Sequence, residues 1–124
     1  MGIRSTTKII DERGITLVNI YRQYDGDLDG HGQELAKFLQ GKEMINGING
    51  QSMAQAANGM GCLAAQIVAH FKVGIGGFYL ESPNATEDFD YEVKLVKGEL
   101  EITVREDGDA IFKGSPSEFL DAVN

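Results

Sequence analysis

The residues with a capacity for chemistry are few and scattered. Asp25, Asp27 and Asp29, followed by Gly30, alternate as carboxylates do in the first half of a calcium loop, where they gather oxygens around a hard cation. The second half fails. The twelfth position of such a loop would be Ala36 instead of a bidentate Glu, and the residues before it read as a strand. The stretch is expected to be an acidic turn that caps the next helix, with no metal. His31 and His70 belong to no ligand or nucleophile motif, so each is expected on a surface or a helix face. The serines at 5, 52, 82, 115 and 117 lack a Gly-x-Ser-x-Gly elbow, and Cys62 lies in an apolar helical run where an inert thiol is the common outcome. The glycines at 59, 61, 74, 76 and 77 match neither phosphate-binding fingerprint. The expectation is therefore a protein that binds without catalysis and without a cofactor.

Binding chemistry is better represented. Tyr21, Arg22, Tyr24, Phe78, Tyr79, Phe89, Tyr91 and Arg105 are aromatic or cationic and lie on or beside strand-like runs. Aromatic faces stack on bases and guanidinium forks grip phosphates, which is how proteins without a fingerprint hold nucleotides. The same spacing is equally that of core aromatics with a surface pair between Arg105 and Asp90, and from spacing alone that plainer reading is the stronger for most of them.

The elements that must position these side chains are legible in outline. Lys8 to Glu12 and Ile15 to Tyr24 are β-rich runs about Arg13-Gly14, predicting an N-terminal hairpin. Leu35, Phe38 and Leu39, stopped by Gly41, predict a short helix. Residues 41–52, rich in Gly and Asn, read as a loop. Apolar residues at Met53, Ala56, Ala57, Met60, Leu63, Ala64, Ile67, Val68 and Phe71 predict the main helix, with Gly61, Ala65 and Ala69 as a small-residue line suited to helix packing or an oligomer contact.

Phe78 to Glu81, Phe89 to Val96, Glu99 to Glu106 and Ala110 to Lys113 predict an antiparallel meander. A turn at Lys97-Gly98 sets Leu95 opposite Leu100, Val93 opposite Ile102 and Tyr91 opposite Val104. The other face then pairs Lys94 with Glu101, Glu92 with Thr103 and Asp90 with Arg105. Ser115-Pro-Ser-Glu118 predicts a capped terminal helix. The fold class is α+β: an antiparallel β-sheet, made of the N-terminal hairpin and the C-terminal meander, packed with two to three helices.

Composition bounds the rest. A chain of 124 residues with 42% hydrophobic and 24% charged residues is expected to form one domain over 1–124. A net charge of −8 repels long nucleic acid and anionic membrane, yet leaves room for a small phosphorylated ligand held by one or two local cations. The single cysteine and the absence of a long apolar run predict a reduced, cytoplasmic setting with no membrane anchor.

The opening Gly2-Ile-Arg-Ser-Thr-Thr-Lys8, the run Ile20-Tyr-Arg-Gln-Tyr-Asp-Gly26, the segment His31-Gly-Gln-Glu34, and later Gly77-Phe-Tyr-Leu80 and Val104-Arg105 resemble a family of small phage proteins that includes the anti-Thoeris sponges. These are decoys that sequester a cyclic ADP-ribose signal made by bacterial TIR enzymes. The resemblance covers most of the chain. It implies a homo-oligomer, a dimer or higher, in the cytoplasm of an infected bacterium, holding its small cyclic nucleotide without cleaving it. By the resemblance Phe78 would stack on the base and Arg105 would grip the phosphates, and cyclic oligonucleotide signals would bind at separate sites; Tyr79, Phe89, Tyr91, Arg22 and Asp90 join the candidate ligand-binding set by residue type and strand position. The alternative is a protein-interaction or phage structural accessory domain with no nucleotide ligand.

Overall fold

The computed structural model describes residues 2–47 and 55–123. β1 (Ser5–Ile10) and β2 (Thr16–Arg22) form the opening hairpin, followed by a wide helical turn at Leu28–Gly32, α1 (Gln33–Leu39) and β3 (Glu43–Ile45). After the undescribed segment come β4 (Ala56–Asn58), α2 (Gly59–Phe71), β5 (Phe78–Leu80), β6 (Phe89–Val96), β7 (Glu99–Glu106), β8 (Asp109–Gly114) and α3 (Pro116–Val123). Six strands form one sheet in the order β5-β2-β1-β6-β7-β8, and β3 and β4 form a separate parallel pair. The architecture is α+β, as the sequence predicts. No described helix is long and apolar enough to cross a membrane.

Two antiparallel units are joined by one parallel seam. β6 and β7 pair in the expected register from Phe89 opposite Glu106 to Val96 opposite Glu99. Lys97 and Gly98 both take positive φ, at 52° and 82°, the mirror-image turn whose twist matches that of the flanking strands. β1 runs parallel to β6, Ser5 beside Phe89 through Ile9 beside Val93, so the sheet is mixed.

Phe78–Leu80 does not join the meander. It pairs antiparallel with β2, Arg22 opposite Phe78, and forms the far edge of the sheet. The first turn is also wider than the two residues expected: Asp11 Oδ1 accepts from the backbone N–H of Arg13 and of Ile15, which organises a five-residue turn, and the register shifts after Ile9. Those bonds hold the Asp11 carboxyl below its ordinary range, the bond from Ile15 first.

α2 begins at Gly59, later than the apolar spacing predicts. Ala56 and Ala57 instead pair with Glu43 and Met44 in β4, and the positive φ of Gly59 (84°) marks the change of direction; Met53 lies outside the described residues. Within α2 the expected stripe is buried at Met60, Leu63, Ala64, Ile67 and Phe71, while Gly61, Ala65 and Ala69 are exposed. α3 is capped as read: Ser115 Oγ accepts from Glu118 N (3.1 Å), and Glu118 Oε1 accepts from Ser115 N (2.8 Å).

Alternation along the strands divides the sheet into two faces. Ile9, Ile20, Tyr91, Val93, Leu100, Ile102 and Val104 face Leu35, Leu39, Leu63, Ile67 and Phe119 in one core. Thr6, Lys8, Asn19, Asp90, Glu92, Thr103 and Arg105 lie on the opposite, polar face, partly roofed by residues 81–88. There Asn19 Nδ2 donates to the carbonyls of Ser82 (2.8 Å) and Ala85 (3.2 Å), and Lys8 Nζ donates to that of Ala85 (2.9 Å).

Candidate functional site

His31 is the hub of the helix-side face. The aspartate-rich turn before it spends its backbone oxygens on the fold: Asp25 O accepts from His31 N (2.7 Å), and Asp27 O accepts from Gly30 N and Gly32 N. The wide turn drives the imidazole into the core, 1% exposed, against Phe71 and Tyr91 at centroid distances of 5.1 Å each. Arg22 Nη1 lies 3.1 Å from His31 Nδ1, and an arginine can only donate, so Nδ1 is the acceptor. The proton therefore sits on Nε2, which donates to Thr7 Oγ1 at 2.7 Å. Burial first, and the Arg22 charge second, press the His31 pKa down to about 3, so the ring is neutral. Neither histidine nor threonine is accessible, and with Nε2 already protonated the ring cannot take a proton from Thr7.

Arg22 carries this core outward. Its guanidinium bonds both oxygens of Glu34 (3.2 Å each), Nε donates to Tyr24 O (2.7 Å), and the plane lies 5.0 Å from the Phe78 ring centroid. From there aromatic rings run along the edge of α1 and α2. Phe78 meets Phe71 at 5.5 Å, Phe71 meets His70 at 4.9 Å, and His70 stacks on Phe38 at 4.4 Å and 28°. Lys42 Nζ stands 4.3 Å from the Phe38 centroid.

Two hollows open over this row. One of about 420 Å³ is bounded by Glu34, His70, Phe71, Phe78 and the turn Val73–Gly77 without Gly74. The next, about 570 Å³, is bounded by Glu34, Lys37, Phe38, Lys42, Gln55 and His70. They share Glu34 and His70 and form one trough, with Lys37 and Lys42 in its lining, Glu34 its single carboxylate among the described residues, and Arg22 behind Glu34.

Arg105 lies elsewhere. Its strand position opposite Asp90 is as expected, but Nη1 pairs with Glu92 Oε2 at 2.9 Å, two residues along β6. Asp90 turns inward: it is 6% exposed, and its Oδ1 accepts from Thr6 Oγ1 and from Glu87 N (3.0 Å). Thr6 on β1 and the Glu87 N–H of the roof give Asp90 neutral donors, which leaves the more exposed Glu92 to the guanidinium. Arg105 borders two grooves: one of about 340 Å³, lined by Lys8 and Arg105 against Glu87, Asp90, Glu92 and Asp107, and one of about 420 Å³, where Lys94, Arg105 and Lys113 stand with Glu92 and Phe112.

The structure thus separates the sequence-predicted residues. Arg22 and Phe78 meet on the helix-side face, and Tyr79 adjoins them at the edge, 6.0 Å from Tyr21 across the strand pair. Phe89 and Tyr91 are core residues; the Tyr91 hydroxyl donates to Gly26 O (2.8 Å), and burial raises its pKa. Asp90 and Arg105 are on the other face, three and four strands from Phe78, which at ~4.8 Å per strand puts Arg105 roughly 19 Å away within one chain. Sequence reading places Phe38 in the apolar spacing of the first helix and expects His70 on a helix face, where it is, but expects His31 there too, which is buried instead; it gives none of Phe38, His70, Lys37, Lys42 and Glu34 a binding role. The i, i+4 spacing of Glu34, Phe38 and Lys42 was the available signal, although Lys42 lies just past the end of α1.

Comparison with protein-family models, with curated proteins and with solved structures finds no match to this chain.

Proposed function

We propose that this protein binds and sequesters a small cyclic nucleotide of the cyclic ADP-ribose class without cleaving it, acting as an immune-evasion protein in an infected bacterial cell. The observation that carries the reading is the trough: in a protein of net charge −8, two lysines and a row of rings line adjoining hollows whose one carboxylate among the described residues, Glu34, is held by Arg22. Rings of this kind accept a base by stacking, and a cluster of cations compensates phosphates. The resemblance supplies the identity of the ligand, and the sealed, proton-bearing Thr7–His31 pair supports holding over cleavage.

On this reading Phe78 is the stacking face, and Arg22, already in place over it, takes the role that the resemblance gives to Arg105. Most of the Arg22 donors are engaged, so phosphate competes with Glu34 for the fork. Arg105 could serve the same ligand only from a second copy.

Calorimetry with cyclic ADP-ribose isomers, followed by mass spectrometry of the recovered ligand, tests this. Phe78→Ala is expected to weaken binding at least about tenfold, or about 1.4 kcal/mol, with the nucleotide recovered intact. No binding by any isomer defeats the reading and favours the accessory-domain alternative; cleaved nucleotide defeats sequestration.

A further inference from the structure

One hollow differs from the others in its charge. It is a groove of about 360 Å³ between the last turns of α2 and the edge strand β5, lined by Ile20, Val68, Phe71, Phe78 and Leu80, with Lys72 at its rim. The trough proposed above holds Glu34, and both grooves beside Arg105 hold Glu92. Here the lining carries no carboxylate among the described residues, and the sequence explains why: of 11 basic and 19 acidic side chains, the stretch from Met44 to Leu80 has only Lys72. In a chain of net charge −8 this is a hollow whose one charge is positive. It is separate from the trough, sharing only the Phe71 and Phe78 wall.

Lys72 directly follows α2 and is held in place there. Its ammonium donates to the carbonyls of Gly76 (3.1 Å) and Phe78 (2.8 Å) and stands 5.4 Å from the Tyr79 ring centroid. An ammonium has three N–H donors, so one remains for an anion seated in the groove. The walls ask for the opposite chemistry: branched aliphatic side chains and rings offer a ligand no hydrogen bond and favour a flexible apolar chain that conforms to them. A membrane is not the source of that chain, because a protein of net charge −8 is repelled by anionic lipid. A free amphiphile needs only the local cation, which acts within the Debye length of about 8 Å. We propose that this groove binds the free anion of a straight-chain fatty acid, with its carboxylate on Lys72 and its chain along Phe71, Phe78 and Leu80.

Calorimetry of the full chain with decanoate, below its micellar concentration and without nucleotide, tests this. Decanoate is expected to bind in a single saturable step. Octanoate, which buries a shorter chain, is expected to bind about tenfold more weakly, and decanol, with the chain but no charge, about five- to tenfold more weakly. Lys72→Gln, which keeps N–H donors for the carbonyls but not the charge, should bring decanoate down to the affinity of decanol. Leu80→Glu, at a groove position that is 65% exposed, should weaken decanoate and decanol alike at least about tenfold with an unchanged melting temperature. Ile111→Asp, on the opposite edge strand, should change neither. The proposal falls if decanoate does not bind, if decyltrimethylammonium binds as tightly, or if Lys72→Gln or Leu80→Glu leaves decanoate affinity unchanged. It falls equally if phosphatidylglycerol vesicles sediment the protein, or if a second copy covers this face and excludes decanoate, an association that Leu80→Glu would then break.

Discussion

The two faces of the sheet each hold an arginine with a carboxylate, and they use the pair in opposite ways. On the helix side Arg22 is mostly enclosed, with 12% of its side chain exposed, and its contacts run inward to His31, which in turn bonds Thr7, as well as outward to Glu34 and Phe78. On the polar side Arg105 keeps 39% of its side chain in solvent and meets Glu92 on a surface that other carboxylates share. Ion pairs in water contribute little, whereas a buried donor whose acceptor is removed pays the whole desolvation penalty. The same residue type thus organises a core in one place and decorates a surface in the other.

The largest test of that contrast is His31→Ala. The substitution removes a ring packed on Phe71 and Tyr91 and also leaves Thr7 and one Arg22 N–H without partners, so the cavity and polar costs together come to about 3–5 kcal/mol, read as a lower midpoint in urea unfolding. Its counterpart, Glu92→Gln beside Arg105, is expected to change stability by less than about 1 kcal/mol. Equal costs would show that the two arginines are held alike.

Acid provides a second, reversible way to weaken the helix-side cluster. His31 is neutral in the fold with a pKa near 3, while the unfolded chain's histidine titrates near 6.5. Between those values the unfolded state binds the extra proton, so the contribution is complete above pH 6.5 and is lost as pH falls toward 3. The slope approaches about 1.4 kcal/mol per pH unit, and unfolding free energies at pH 5 and pH 7 measure it. His31→Phe, which cannot be protonated, is expected to flatten the dependence in this window; an unchanged slope would assign it to other groups.

How far the sequence discloses this arrangement depends on the range over which each signal acts. The Phe89–Val96 and Glu99–Glu106 register could be read because hydrophobicity and charge agree on one alignment across a two-residue turn. The Ser115 cap is similarly local. The parallel seam of β1 with β6 and the docking of Phe78–Leu80 on β2 join segments far apart in the chain, and alternation within a strand does not name its neighbour. Ala56 and Ala57 fit a helical stripe and a buried strand equally well. In the candidate site, aromatic and cationic types drew attention to Phe78 and Arg22. His31 looked plain because nothing in sequence reveals that Thr7 and Arg22 supply its two partners.

The smallest expected effect concerns Arg105. If the trough within one chain holds the nucleotide, Arg105→Ala removes a guanidinium roughly 19 Å away on the other side of the sheet, a separation beyond the Debye length of about 8 Å at physiological salt. Its loss should change nucleotide affinity by less than about twofold and stability by less than about 0.5 kcal/mol. The direction of any remainder is set by Glu92 and Lys94. Without Arg105, Glu92 keeps only the distant Lys94 amine at 3.9 Å, and the groove becomes more acidic, so an anion anywhere on the molecule is slightly disfavoured. Titrations of Arg105→Ala and Phe78→Ala side by side decide between the two geometries. A loss confined to Phe78→Ala keeps the ligand in the helix-side trough. Comparable tenfold losses in both variants would require two copies to present Phe78 and Arg105 to one ligand, and the single-chain site would fall.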